Sequence, residues 1–198
     1  FKLIPYWKKG CNYLLKKDPF FKKYYNGNHY LKLNKNKFDI LFKSICSQQI
    51  SVTAAMSIYQ QSKKIMGSIN YNRFKNQTEL IDDLPLSKNK KKSIISLIEN
   101  YQLVKSIKFD HSYESKPPYE LTKIFGIGPW TVEMFSIFHL GISDILPKGD
   151  LGFINAYKKY YNDKNLDKLD KNSKNWSNYS TIVTWYLWSS YDSEPLYL

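Results

Sequence analysis

Between Leu121 and Phe153 the chain reads LTKIFGIGPWTVEMFSIFHLGISDILPKGDLGF. No other segment limits the fold so tightly. Gly126 and Gly128 allow positive φ and close approach of the backbone to another body. Pro129 suits the first position of the following helix, where a missing N–H costs nothing. The amides of Gly128, Trp130 and Thr131 would then face outward at the positive end of a helix, where a phosphate fits. The segment therefore reads as two helices joined by a tight hairpin. A backbone contact of this kind positions a nucleic acid without reading its bases. In most proteins a bare Gly-Ile-Gly is only a helix connection. Here it is followed by a Pro-Lys-Gly loop and a lone acid, Asp150. That acid is also well suited to cap the next helix.

The rest of the chain reads as all-α. Phe38, Leu41, Phe42 and Ile45 fall at i, i+3, i+4, i+7, one face of an amphipathic helix. Ser51 can cap a helix running through Ala54, Ala55 and Ile58. Ser87 can cap another that carries Ile94, Ile95, Leu97 and Ile98. Lys116-Pro117-Pro118 is a break. A short helix, Tyr119–Phe125, is expected to lead into the hairpin, and a final helix to run from Ser177 to Ser190. The polar stretch 162–175 reads as an exposed loop. Strands are hard to place anywhere. There is no internal repeat and no long linker, so 1–198 is expected to be one domain.

Composition narrows the function classes. No apolar run spans a bilayer, and the start FKLIPYWKKG lacks a signal-peptide core. A soluble, cytoplasmic protein is expected. The first residue is Phe1, so the chain reads as trimmed. Two cysteines, Cys11 and Cys46, cannot ligate an iron–sulfur cluster or a four-cysteine zinc site. The three histidines, His29, His111 and His139, are scattered, and no metal site is expected from side chains. Cys46 looks buried. The formal net charge of +13 suits phosphate binding. Arg73 is the only arginine among the 30 basic residues. That skew, with abundant Asn, Ile and Tyr, is what AT-rich codons produce. Charge alone is therefore weak evidence. A basic chain with this hairpin and an acid beside it points to an enzyme acting on nucleic acid.

Five ordered segments together resemble the helix-hairpin-helix DNA glycosylase superfamily, and within it the DNA-3-methyladenine glycosylase II family. LTKIFGIGPWTVEMF resembles the hairpin, and PKGDLG the loop ending in the catalytic aspartate, Asp150. FDILFKSICSQQISVTAA resembles the helix whose Ser-Gln-Gln turn meets DNA. LPLSKNKKKSI resembles the segment carrying a lysine, here Lys90. WSNYSTIVTWYLW resembles the C-terminal helix with a pocket tryptophan, here Trp188. The match runs from about Trp7 to Trp188. Departures are Asn178 and Ser180, where the family has Pro and Arg, Phe125 for a usual Pro, and Met134 for an aromatic of some members. Larger members carry an extra N-terminal β domain, for which this chain is too short.

The resemblance implies a two-lobed helical fold with a cleft. Residues 31–115 would form the middle lobe, and 1–30 plus 116–198 a terminal lobe holding the hairpin at 119–140. It implies removal of alkylated bases from damaged double-stranded DNA by a monomer that needs no cofactor, in a bacterial cytoplasm close to the nucleoid. A base must leave the stack before its glycosidic bond can be reached. Trp130, Met134 and Trp188 would line the pocket, where indole faces attract a cationic purine. By composition alone these tryptophans read equally as core. Asp150, read as the single carboxylate placed beside the hairpin, would stabilise positive charge growing on the sugar. Gly126, Ile127, Gly128 and Thr131 would hold the backbone. Gln49 would fill the gap left by the flipped base, with Gln48 and Ser51 at the same turn. Lys90 would touch phosphate, although a solvated lysine face fits that run as well. Carbonyls of Lys123 and Phe125 would offer a monovalent cation site. Where related lyases carry a lysine this chain has Trp130, so no strand cleavage is expected. Two alternatives stand beside this reading: a glycosylase for an oxidised or deaminated base, and a non-enzymatic module that senses damaged DNA.

Overall fold

In a computed structural model, which describes residues 4–27 and 30–191, every regular element is helical. His29 and both chain ends of the expected terminal lobe lie outside the described residues. The helices are α1 (Trp7–Lys17), α2 (Lys37–Ser47), α3 (Val52–Met66), α4 (Tyr71–Asn76), α5 (Lys88–Glu99), α6 (Tyr101–Ser106), α7 (Pro129–Phe135), α8 (Leu151–Tyr161), α9 (Leu169–Ser173) and α10 (Ser180–Tyr191). Among the described residues there is no strand.

Two helices with little polar surface organise the packing. α2 begins at Asn36, whose side chain accepts from the Asp39 amide. It buries Phe38, Leu41, Phe42 and Ile45, the expected stripe, and Ile40 and Cys46 as well. It packs against α3, α5 and α7. Phe74 of α4 closes on it, with ring centroids 4.9 Å from Phe38 and 5.1 Å from Phe42. α10 is buried without interruption from Ser180 to Trp188. A helix apolar on every side belongs in a core, and α10 lies against α8 and α1.

α10 also fixes the loop that delivers Asp150. The Thr181 hydroxyl donates to Ile142 O (2.6 Å) and accepts from the Ile145 amide (3.0 Å). The Thr181 amide donates to Ser143 O (3.1 Å), and the Ser180 amide to Asp144 Oδ1 (3.2 Å). The start of the loop, 142–145, is thus bound to a buried helix, which restrains it. Upstream, α7 continues as a π-helical turn, Ser136–Leu140, ending at Gly141 in the left-handed region.

Three expectations need correction. The segment before the hairpin is a single 3₁₀ turn, Tyr119–Lys123, because Ile124 is extended and Gly126 has φ +83°. The last helix starts at Ser180, because Asn178 sits at φ 68° and cannot be helical. The stretch 162–175 is not simply exposed. Within it Asp163 and Leu169 are buried, and α9 forms. The Asp163 carboxylate accepts from Tyr157 OH (3.0 Å) and from the amides of Asp167 and Lys168 (3.1 and 2.9 Å). A second buried carboxylate, Asp18, ties α1 to α8 and to Trp176. It accepts from Tyr161 OH, from Trp176 Nε1 (2.7 Å) and from the Phe20 amide (2.8 Å). Buried carboxylates persist when their lone pairs are met in this way.

Candidate active site

The hairpin turn is dictated by packing as well as by its dihedral. A Cβ at Gly126 would lie 1.9 Å from Ser93 Oγ and 2.4 Å from Ser93 Cβ on α5. The Gly126 carbonyl accepts from Gln48 Nε2 (2.8 Å), which also donates to Thr131 Oγ1 (3.2 Å). Gln48 therefore braces the hairpin from the end of α2. Ile127 and Thr131 are buried, so they support the turn from behind. Gly128 differs from Gly126. Its φ is −94°, and a Cβ there would meet nothing within 4 Å. Neither strain nor an internal contact calls for glycine at 128.

Asp150 caps α8 and is held from three sides. Oδ1 accepts from the Phe153 amide (2.6 Å) and from Trp188 Nε1 (2.8 Å). Oδ2 accepts from Trp130 Nε1 (2.8 Å). The Asp150 amide closes a tight turn on Pro147 O (2.9 Å). The two tryptophans expected in a base pocket thus converge on the expected acid. Hydrogen bonds of N–H groups to a carboxylate are among the stronger ones. With two of its lone-pair directions on Oδ1 and one on Oδ2 filled, the carboxylate keeps capacity on Oδ2 for a further partner. Gly152 permits this arrangement, since a Cβ there would lie 3.2 Å from Asp150 Oδ1 and 3.4 Å from Trp188 Nε1. Trp188 stacks on Phe138, centroids 5.8 Å apart at 15°.

The expectation of a single carboxyl beside the hairpin is corrected. Glu133, half-buried on α7, lies near enough to Asp150 to feel its charge. Burial first, and then the charge of Asp150, push the Glu133 carboxyl up to about 7. The Tyr119 hydroxyl is raised by burial and by Glu133. The sequence signal was available: Glu133 is three residues after Trp130, so the two share a helix face.

The remaining expected residues divide. Met134 is 1% exposed and belongs to the core. Gln49 is exposed at φ 60°, a strained turn beside the exposed Ile50, which sequence reasoning passed over. Ser51 uses its hydroxyl to cap α3 (3.2 Å to the Ala54 amide). The Lys90 ammonium donates to Cys46 O (2.8 Å), at the end of α2, and burial lowers its pKa. It therefore serves a helix C-terminus. Lys123 and Phe125 are exposed, and the Phe125 amide donates to Ser96 Oγ (3.2 Å). No group of three or more His, Cys, Asp or Glu is placed to hold a metal among the described residues. Cys11 and Cys46 are buried free thiols, and burial pushes them up to about 11 and about 12. Neither is primed for nucleophilic chemistry.

No protein-family model matches the chain. A crystal structure of a DNA-3-methyladenine glycosidase from Bacillus halodurans superposes with a TM-score of 0.72 at 26% identity, covering 93% of this chain and 89% of that one. The 3-methyladenine DNA glycosylase of Schizosaccharomyces pombe, solved in complex with abasic DNA, gives 0.74 at 25% identity, covering 91% and 95%. This chain has their fold. In sequence it is 28% identical over 178 residues to the DNA-3-methyladenine glycosylase of Saccharomyces cerevisiae. That alignment covers 78% of this chain but 60% of the yeast protein, so the chain spans well under the relative's full length. Among the described residues, no helix is long and apolar enough to cross a membrane.

Proposed function

We propose that this chain is a helix-hairpin-helix DNA glycosylase that hydrolyses the N-glycosidic bond of alkylated, 3-methyladenine-type bases. The observation that carries the reading is Asp150, gripped by Trp130 Nε1, Trp188 Nε1 and the Phe153 amide. Likeness to glycosylases in sequence and fold supports it. The damaged base leaves the duplex and meets the two indoles, whose attraction to a cationic ring is about 0.5–2 kcal/mol per contact. As the bond to C1′ lengthens, positive charge grows on the sugar. A carboxylate already oriented by three donors stabilises that charge with no reorganisation. It also orients the attacking water. A cationic base departs as a neutral molecule and needs no acid.

Other parts fall into place around this reaction. The cleft lies between a lobe at 31–115 and a terminal lobe. The open space at Gly128 and the start of α7 receive the phosphate backbone. The carbonyls of Lys123 and Phe125 would be the groups to hold a monovalent cation there. Gln49 fills the gap in the stack, while Gln48 holds the hairpin in place. Trp130 stands where a lyase would have its lysine, so the product is an abasic site. The protein acts as a monomer on duplex DNA in the cytoplasm.

The test is release of free base from methylated duplex DNA by the wild type and by Asp150→Asn, with DNA affinity measured in parallel. The variant should bind normally and release base at least about 10²-fold more slowly, the usual size of a lost electrostatic or base-catalytic group. Equal release by both proteins, or none by either while both bind, overturns the proposal. Borohydride trapping of a covalent adduct would refute the absence of lyase chemistry.

A further inference from the structure

The turn that joins α2 to α3 lies far from the hairpin in sequence, yet α5 and one side chain lock the two together. Three residues spaced three apart on α5 reach both parts. The Lys90 ammonium donates to Cys46 O (2.8 Å) at the end of α2. Ser93 packs directly against Gly126, where any Cβ would collide with it. Ser96 Oγ accepts from the Phe125 amide (3.2 Å). Gln48 then bridges the two parts itself, with Nε2 2.8 Å from Gly126 O and 3.2 Å from Thr131 Oγ1. A carbonyl can only accept, so the amide nitrogen of Gln48 is the atom that faces it. The next residue, Gln49, is exposed at φ 60°, a left-handed conformation that a residue with a Cβ holds where its surroundings impose it. Beyond it the Ile50 amide closes on Ser47 O (3.4 Å), and the Ser51 hydroxyl caps α3 (3.2 Å). Gln49 and Ile50 are thus presented to solvent on a turn braced from both sides.

We propose that Gln48 is a positioning residue: its bonds to Gly126 and Thr131 hold Gln49 in the conformation that enters the duplex, so that the hairpin's grip on the backbone and the push on the base stack act as one rigid unit. The inference rests on the reading of Gln49 as the residue that fills the gap. A wedge carried on a loosely held turn would be turned aside by stacked bases, because such turns open at little cost. A wedge tied to the hairpin cannot retreat unless the bonds of Gln48 break or the phosphate is released. The duplex must yield instead, and it yields at least cost where a damaged base is weakly paired. The hairpin keeps its own supports without Gln48, since Gly126 stays packed on Ser93 and the Phe125 amide stays bound to Ser96. The turn loses its direct link to the hairpin. Removing the Gln48 amide therefore harms the opening of the stack and spares the grip.

The experiment is a double-mutant cycle over Gln48→Met and Gln49→Ala. Single-turnover release of 7-methylguanine, a cationic alkylated base, is followed from a duplex that carries 2-aminopurine beside the lesion, whose fluorescence rises as the stack opens. Affinity for an undamaged duplex and a thermal melt are measured in parallel. Gln48→Met should slow release about 5- to 10-fold, the size of a lost hydrogen bond, and reduce the fluorescence rise with it. Its affinity for undamaged duplex should stay within about twofold of wild type, since the backbone contacts remain. The double variant should release base within about twofold of Gln49→Ala alone, because Gln48 acts through Gln49. Effects that multiply in the double variant overturn the proposal, as does a loss of affinity equal to the loss of rate. Gln49→Ala with wild-type release and fluorescence overturns it together with the wedge reading, and leaves the glycosylase reading intact. No release by the wild type defeats both. Gln48→Glu, which keeps the shape and turns an acceptor toward the Gly126 carbonyl, carries the same cycle if the methionine variant does not fold.

Discussion

Replacing Gly152 with alanine should separate the stability of α8 from the placing of Asp150. Gly152 lies in the first turn of that helix, in ordinary helical backbone, so alanine brings no dihedral strain. Helix propensity favours alanine by up to about 1 kcal/mol. The new methyl carbon, however, falls 3.2 Å from Asp150 Oδ1 and 3.4 Å from both Cδ1 and Nε1 of Trp188. It intrudes on the 2.8 Å bond between that indole and that oxygen. The oxygen or the indole must move by a few tenths of an ångström, which weakens or breaks a hydrogen bond to a charged group worth about 1.5–3 kcal/mol. Gain and loss partly cancel in the folded state, so the melting temperature should move by less than about 8 °C, at about 2–4 °C per kcal/mol. In the transition state nothing offsets the displaced carboxylate. The same 1.5–3 kcal/mol then corresponds to a rate about 10- to 150-fold slower. Single-turnover release of 7-methylguanine with enzyme in excess measures this, beside a thermal melt and an anisotropy titration with abasic duplex. A rate within twofold of wild type would refute the claim that the indole-to-carboxylate contact sets the reaction. So would a loss of DNA affinity equal to the loss of rate, because the effect would then lie in binding.

Lys90→Met removes the ammonium that caps α2. Stability should drop by about 1–2 kcal/mol, or about 2–8 °C in melting temperature, on losing a charged hydrogen bond to Cys46 O. The slope of log affinity against log salt should not change, whereas a lost phosphate contact would reduce it by about 0.9. Glu133→Gln should change stability in a pH-dependent way. The folded carboxyl titrates near 7 and the unfolded one near 4.5. Between those values the folded state holds more protons, so wild-type stability falls as pH rises. The variant lacks that penalty. Its melting temperature should gain on the wild type from pH 4.5 to 7 and hold a constant lead above. A lead independent of pH would show that Glu133 is not raised.

How much of the fold could be read from the sequence depended on whether a residue's pattern reports its surroundings. α2 was legible because its apolar residues recur on one face. α10 was legible as an apolar run, yet its start was misjudged. Asn178 takes a left-handed turn, and asparagine does so without any pattern around it. The stretch 162–175 misled in the opposite direction. Its composition is that of a solvated loop, but Asp163 turns inward to collect three donors. Composition cannot separate an aspartate that meets water from one that meets local amides.

The candidate site shows the same limit at higher stakes. Asp150, Trp130 and Trp188 could be named from the sequence, but not that both indoles would donate to one carboxylate. Glu133 escaped because a lone acid on a helix usually faces water, and only burial and the charge of Asp150 raise its carboxyl. Cations were overcounted for a related reason. Lys37 donates to the carbonyls of Val104, Lys105 and Ile107, Arg73 to Met66 O, and Lys90 to Cys46 O. Each serves carbonyls at or just beyond a helix end, where backbone acceptors lack partners. The chain's one guanidinium is thereby committed to the fold. If the chain grips DNA as proposed, the grip must come from backbone amides near Gly128 and from solvated lysines. Both contact phosphate and ignore sequence, which suits an enzyme that must search for damage anywhere along a duplex.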